Sequence, residues 1–317
     1  MELKRNAWRI AVCATSVMAL LVLAPVHAAD GKKRVQAKYS SKSSVKKSAH
    51  KHRPARRVVV QAPEAIPELK SAAALVVDLD DGRMIYAKNT QSIAPIASIT
   101  KLMTAMVVLD ANLPLEETIY VDSADLDFVK HTNSRLGVGT GLPRRDMLRL
   151  ALMSSENRAA ASLGRAYPGG GEAFIAAMNR KAVELGMWNT RFVDPTGLSS
   201  ENVSTAGDLV KMVRGAYQYP LIREFTTTPA HEVETVAGRS LQFRNSNGLV
   251  KNSTWEIGLS KTGYISEAGR CLVMQATIAA RPVIIVLLDS WGKNTRIGDA
   301  NRIKKWMESH TGRKPLG

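Results

Sequence analysis

The sequence predicts an α+β domain in which a single antiparallel sheet is packed by helices. Three observations carry this expectation. Strand-like runs lie at both ends of the folded part, helical runs fill the interval between, and an Asp-Gly turn joins the first two strands into a hairpin.

The elements follow in chain order. Residues 1–28 read as a secretory signal: Lys4, Arg5 and Arg9 precede an apolar run, and Val26, His27 and Ala28 place small residues where a signal peptidase cuts. Residues 29–63 form a basic tail. Between Gly31 and Arg57 there are eleven Lys or Arg and no acidic residue, so the tail is expected to be disordered. The net charge of +16 belongs mostly to it, since the chain outside the tail and signal holds 30 basic and 26 acidic residues. A solvated tether is the plain reading. Electrostatic contact with anionic envelope polymers or lipid headgroups is the sharper one. Nucleic acid is not an expected partner, because export removes it and no aromatic platform interrupts the charges. With Cys13 in the signal, Cys271 stands alone, and no internal disulfide can form.

The domain is expected over residues 64–317. The segment AALVVDLDDGRMIYAKN reads as the hairpin. ITKLMTAMVVLDA is apolar on every side and predicts a deeply buried helix. PRRDMLRLALMSSENRAAASLGRAY predicts a helical region with a break near its middle, and GEAFIAAMNRKAVELGM a further helix. Thr205 and Asp208 have the spacing of a capping box ahead of another helix. IGLSKTGYI, RCLVMQATIA and RPVIIVLLDS predict three strands, and TRIGDANRIKKWMESH a closing amphipathic helix.

Chemistry is sought first at Ser98 and Lys101. Three residues apart at a helix start, they share a face. A serine hydroxyl needs a base to take its proton, and a lysine serves only if burial or a neighbouring cation keeps its amine partly neutral. The same Ser-x-x-Lys spacing starts at Ser43, Ser44, Ser48 and Ser290, but only Ser98 opens a buried helix. Ser155 and Asn157 follow, at the expected helix break: a hydroxyl suited to relaying a proton and an amide suited to a carbonyl. The alternative there is ordinary helix capping. The quartet Ser-Ser-Glu-Asn recurs at 199–202, where a loop before a capped helix makes the match look accidental. Lys261, Thr262 and Gly263 form the third piece. The lysine offers a charge for a carboxylate, and the glycine lets a substrate backbone approach the strand. The backbone N–H groups of Ser98 and Tyr264 are candidates for an oxyanion hole. The six histidines show no ligand spacing, so neither metal nor cofactor is expected.

Taken in order, Ser-x-x-Lys, Ser-x-Asn and Lys-Thr-Gly resemble the motif set of penicillin-binding proteins and serine β-lactamases. Over Glu68 to Ser309 the sequence resembles the low-molecular-mass D-alanyl-D-alanine peptidases. The resemblance implies an acyl-enzyme on Ser98, with Lys101 as proton acceptor and Ser155 as relay. It gives Asn157 a substrate contact and Lys261 with Thr262 the carboxylate site. Peptidoglycan stem peptides are the implied substrates, and β-lactams covalent inhibitors. Glu156 stands where the usual motif has Asp, and is expected to point away from substrate. A β-lactamase is disfavoured, since Glu172 and Asn179 lack the spacing of its deacylation pair. ENRAAASLGRAYPGG resembles the endopeptidases that cut D-alanyl–diaminopimelate cross-links. The carboxypeptidases usually continue into a second β-rich domain, whereas here the sequence ends 54 residues after Gly263. An endopeptidase of the periplasm is therefore expected. A carboxypeptidase, or a wall-binding scaffold with a vestigial site, is the alternative.

Overall fold

A computed structural model describes residues 66–311. The signal and the whole of the basic tail lie outside the described residues.

The hairpin forms as expected from β1 (Ser71–Asp78) and β2 (Met84–Lys88), with Gly82 at φ +72° in the turn. Short β3 (Ala94–Pro95) leads into one turn of 3-10 helix (Ala97–Thr100) and then α1 (Lys101–Asp110). Next come β4 (Thr118–Tyr120), β5 (Gly141–Pro143), α2 (Arg144–Met153), α3 (Asn157–Arg165) and α4 (Gly170–Glu184). β6 (Val203–Ser204) pairs with β3 and precedes α5 (Ala206–Ala216) and α6 (Pro220–Thr227). A hairpin of β7 (Ala230–Glu234) and β8 (Ser240–Arg244) follows. The chain then returns to the main sheet through β9 (Glu256–Ile265), β10 (Gly269–Ile278) and β11 (Arg281–Ser290), and closes with α7 (Thr295–Thr311).

The main sheet is antiparallel, in the order β2-β1-β11-β10-β9. Its central strands are apolar at nearly every position because both faces are covered, and a sheet covered on both sides needs no polar alternation. Leu75, Val77, Val273, Ile284 and Val286 face the helices α1 to α6. Val76, Leu272, Met274, Ile285 and Leu287 pack against Ala300, Ile303 and Met307 of α7. Each such side chain contributes roughly 1.5–3 kcal/mol relative to exposure. α1 is buried from Lys101 through Val108, as its all-round apolar sequence requires. β9 is the outer strand of the sheet, and the 3-10 turn that precedes α1 lies against it.

Two expectations change. Thr205 caps α5 by accepting from the Asp208 N–H (3.1 Å), but the Asp208 carboxylate does not return the contact. It accepts instead from the Asn189 N–H, Thr190 Oγ1 and Lys211 Nζ, so only half of a capping box forms. The β7–β8 hairpin was not foreseen, although Val233, Leu241 and Phe243 alternate inward from it.

Candidate active site

Ser98 lies in the 3-10 turn and Lys101 begins α1, an i, i+3 pair that 3-10 geometry nearly eclipses. Lys101 Nζ is 2.8 Å from Ser98 Oγ. It also donates to Asn157 Oδ1 (2.7 Å) and to the Thr196 carbonyl (2.6 Å). An ammonium has three protons, and all three have acceptors here. If Lys101 loses one, its lone pair faces Ser98 while the other two bonds hold the amine in place. Burial lowers its pKa from 10.5 to about 7, against the opposing pull of Asp194 and Glu156.

Asn157 is the first residue of α3, and the break between α2 and α3 presents it. Ser155 sits in that break with φ +63°, while the Glu156 carboxylate turns back to cap α3 through the Arg158 N–H (3.2 Å). Glu156 thus serves the helix. Ala97, immediately before Ser98, also has positive φ (+48°). Non-glycine residues held there cost about 1–3 kcal/mol each, and such strain collects at sites where side-chain placement matters more than comfort.

Lys261 and Thr262 lie within β9, fully buried rather than at an exposed strand end. Lys261 Nζ donates to Ser155 Oγ (2.8 Å), and Thr262 Oγ1 donates to Ser246 Oγ (2.7 Å). The amine of Lys261 is held well below its ordinary range, first by burial and then by the charges of Lys101 and Arg296. Two buried ammonium groups so close discourage one another, and an arriving carboxylate would restore the charge of Lys261. Arg296, at the start of α7, donates from Nη1 to the Gly263 carbonyl (3.1 Å) and adds a third cation beside this strand.

Gly263 has a different reason from the one expected. A Cβ there would lie 2.9 Å from the Ile96 carbonyl oxygen and 3.1 Å from the Ser98 nitrogen. The space goes to the protein's own backbone, seating β9 against the Ser98 turn and bringing Tyr264 beside it. Gly197 acts from the other side. Its φ is +79°, and a Cβ would fall 2.0 Å from the Ala97 carbonyl oxygen.

The structure therefore gathers Ser98, Lys101, Ser155, Asn157, Lys261, Thr262, Gly263 and Tyr264 at one place, where α1, the α2–α3 break and β9 meet. It adds residues the sequence did not suggest. Asp194 ties the loop from 194 to 199 by accepting from the N–H groups of Thr196 (2.6 Å), Gly197 (2.7 Å) and Ser199 (3.0 Å). This aims the Thr196 carbonyl at Lys101. Thr132 Oγ1 accepts from Asn157 Nδ2 (3.0 Å) and is itself held by Asp127 (2.8 Å). In sequence the run is Asp-Pro-Thr-Gly, and nothing in it tells of a lysine partner.

The second Ser-Ser-Glu-Asn quartet is not an idle loop. Asn202 is fully buried. Its Oδ1 accepts from the N–H groups of Val193 (2.8 Å) and Asp194 (3.2 Å). Its Nδ2 donates to Thr100 Oγ1 (3.1 Å) and the Asp194 carbonyl (2.9 Å). It braces the Asp194 loop against the Ser98 turn. Among the described residues, no group of three His, Cys, Asp or Glu side chains is placed to hold a metal ion.

A half-exposed serine beside a buried lysine of depressed pKa, with a cationic strand alongside, defines a serine acyl-transfer enzyme that uses lysine as its base. Residues 58–292 match the family model described as D-alanyl-D-alanine carboxypeptidase, and the chain belongs to that peptidase family. A relative from Pseudomonas aeruginosa, named D-alanyl-D-alanine endopeptidase, is 53% identical over 246 residues, 76% of this chain and 78% of that protein. One of the same name from Escherichia coli is 51% identical over 245 residues, 77% of this chain and 79% of that protein. The crystal structure of the Streptomyces K15 DD-transpeptidase superposes with a TM-score of 0.71 at 30% identity, covering 76% of this chain and 98% of that one.

Proposed function

We propose that this protein is an exported D-alanyl-D-alanine endopeptidase that cuts the D-alanyl–diaminopimelate cross-links of peptidoglycan. The observation that carries the chemistry is the contact of Lys101 Nζ with Ser98 Oγ at 2.8 Å, in a setting where burial lowers the pKa of the amine to about 7. The relatives named endopeptidase, at 53% and 51% identity, support the choice over carboxypeptidase.

Lys101 takes the proton as Ser98 Oγ attacks the D-alanyl carbonyl. The Ser98 and Tyr264 N–H groups receive the developing oxyanion. Lys261 and Thr262, with Arg296 behind them, hold the carboxylate of the leaving half. Ser155 Oγ, hydrogen-bonded to Lys261, relays the proton from Lys101 to the departing amine, which leaves Lys101 neutral again. Water then releases the acyl group from Ser98 through Lys101. A β-lactam mimics the first half of this sequence and stays on Ser98. Export to the periplasm rests on the signal-like residues 1–28, and the basic residues 31–57 would hold the enzyme near anionic envelope polymers or headgroups.

Incubation with purified wall tests this. Cross-linked dimers should become monomers, and Ser98→Ala should abolish the conversion. Shortening of pentapeptides with dimers untouched would make the enzyme a carboxypeptidase.

A further inference from the structure

One contact spans the mouth of the site. Lys130, on the loop that carries Asp127 and Thr132, is ion-paired with Glu267 in the turn between β9 and β10. The first loop reaches the catalytic groups through Thr132, which holds Asn157. The second follows Tyr264 by three residues along β9 and its turn. The pair thus joins the two walls between which Ser98 lies.

The reading of the site given above fixes which half of a substrate would meet this pair. The reacting carbonyl sits between the Ser98 and Tyr264 N–H groups, and the leaving half's carboxylate lies toward Lys261 and Thr262. The acyl half must then run the other way, past Tyr264 toward Ile265 and Glu267. β9 ends at Ile265 and Glu267 stands in the turn, so Glu267 lies less than about 10 Å beyond Tyr264. The next residue of an extended peptide can span that distance with its backbone and a long side chain.

Both groups are accessible and braced. Their side chains are 24% and 42% exposed. The Lys130 N–H donates to Asp127 Oδ1 (2.8 Å), and Glu267 Oε2 accepts from Ser266 Oγ (2.9 Å). An ion pair this exposed holds itself together weakly and is easily exchanged. A ligand with one charge would strand the other partner. A ligand carrying both signs on one carbon would satisfy both.

We propose that Lys130 and Glu267 form a recognition site for a free α-amino carboxylate on the acyl half of the substrate, which replaces their mutual contact with one of its own to each. In the endopeptidase reading, on which this rests, that group is the unlinked end of the diaminopimelate residue next to the D-alanine. Lys130 takes its carboxylate and Glu267 its ammonium. Neither is a catalytic residue; they select the substrate.

The test compares kcat/KM for a soluble cross-linked dimer with that for the same dimer acetylated at the free amine, or amidated at the free carboxylate, of its acyl half. The enzymes are wild type, Glu267→Gln and Lys130→Met, with penicillin labelling of Ser98 as the sign of a folded site. Wild type should prefer the unmodified dimer by roughly two- to fivefold, the size of an exposed charge contact. Glu267→Gln should lose the preference over the acetylated dimer, and Lys130→Met that over the amidated one. The proposal is overturned if both variants discriminate as wild type does. Equal gains on all three substrates would also overturn it, since the pair would then be a strap across the mouth. A wild type that is acylated by penicillin yet cuts no dimer would remove the endopeptidase reading, and this site with it.

Discussion

Lowering the pH should switch off acylation before anything else in the molecule changes. Burial places the amine of Lys101 at about 7, against an ordinary value of 10.5. Only the neutral amine can accept the Ser98 proton, so the rate should follow its population. For a single titration at about 7, that population is close to complete at pH 9, about half at pH 7 and roughly one part in a hundred at pH 5. The second-order rate of acylation by a penicillin, followed by stopped-flow fluorescence, should therefore fall about a hundredfold between pH 9 and pH 5. Lys261 complicates the alkaline side. Its pKa is also lowered, so it sheds the charge that holds a carboxylate as pH rises. The limbs belong to the coupled pair. Lys261→Arg, which cannot lose its charge in this range, should flatten the alkaline limb and keep the acid one. A rate that is flat from pH 5 to pH 9, or whose acid limb lies near 10, would refute Lys101 as the base. The sign for stability is the reverse of a stabilising pair. The unfolded lysine binds its proton between 7 and 10.5 where the folded one does not, so the contribution of Lys101 to stability rises with pH across that window.

Three further outcomes follow from the geometry. Asn202→Ala removes four hydrogen bonds from a fully buried amide and should cost about 2–4 kcal/mol in thermal or urea unfolding, whereas Ser200→Ala in the same quartet should stay within about 0.5 kcal/mol. Gly197→Ala drives a Cβ to 2.0 Å from the Ala97 carbonyl oxygen, and the resulting shift of the Ser98 turn should slow acylation on the order of a hundredfold. Thr132→Val leaves the shape nearly intact but removes the acceptor of Asn157 Nδ2, and should lower kcat about tenfold, with recovery in Thr132→Ser.

How far the sequence could be read depended on the range of the interactions involved. The β10 and β11 strands, and the buried α1, declare themselves because burial on all sides leaves a continuous apolar run. The three motifs were legible through their order, since each alone matches too much. The supports of the site were not. Lys101 finds Thr196 across 95 residues and Asn157 across 56, and Thr196 contributes only a backbone carbonyl, which every residue has. Thr132 and Ser246 act through hydroxyls no different in sequence from their neighbours. Asn202 was set aside because its surroundings looked like a loop. Its role comes from the neighbours it reaches, Thr100 across 102 residues among them. The β7–β8 hairpin was missed for another reason: its inward residues are few, and its turn lacks the short glycine pair that marked β1–β2.

Cys271 lies on β10 directly opposite Gly263, fully buried, and burial pushes its thiol up to about 11. A thiol so protonated and so enclosed hardly reacts with oxidants or alkylating reagents while the sheet is closed. Residues 29–317 contain no other cysteine. The rate at which a thiol reagent modifies it is thus a clock for the parting of β9 from β10. The molecule carries its own reporter of whether the wall behind the nucleophile is standing.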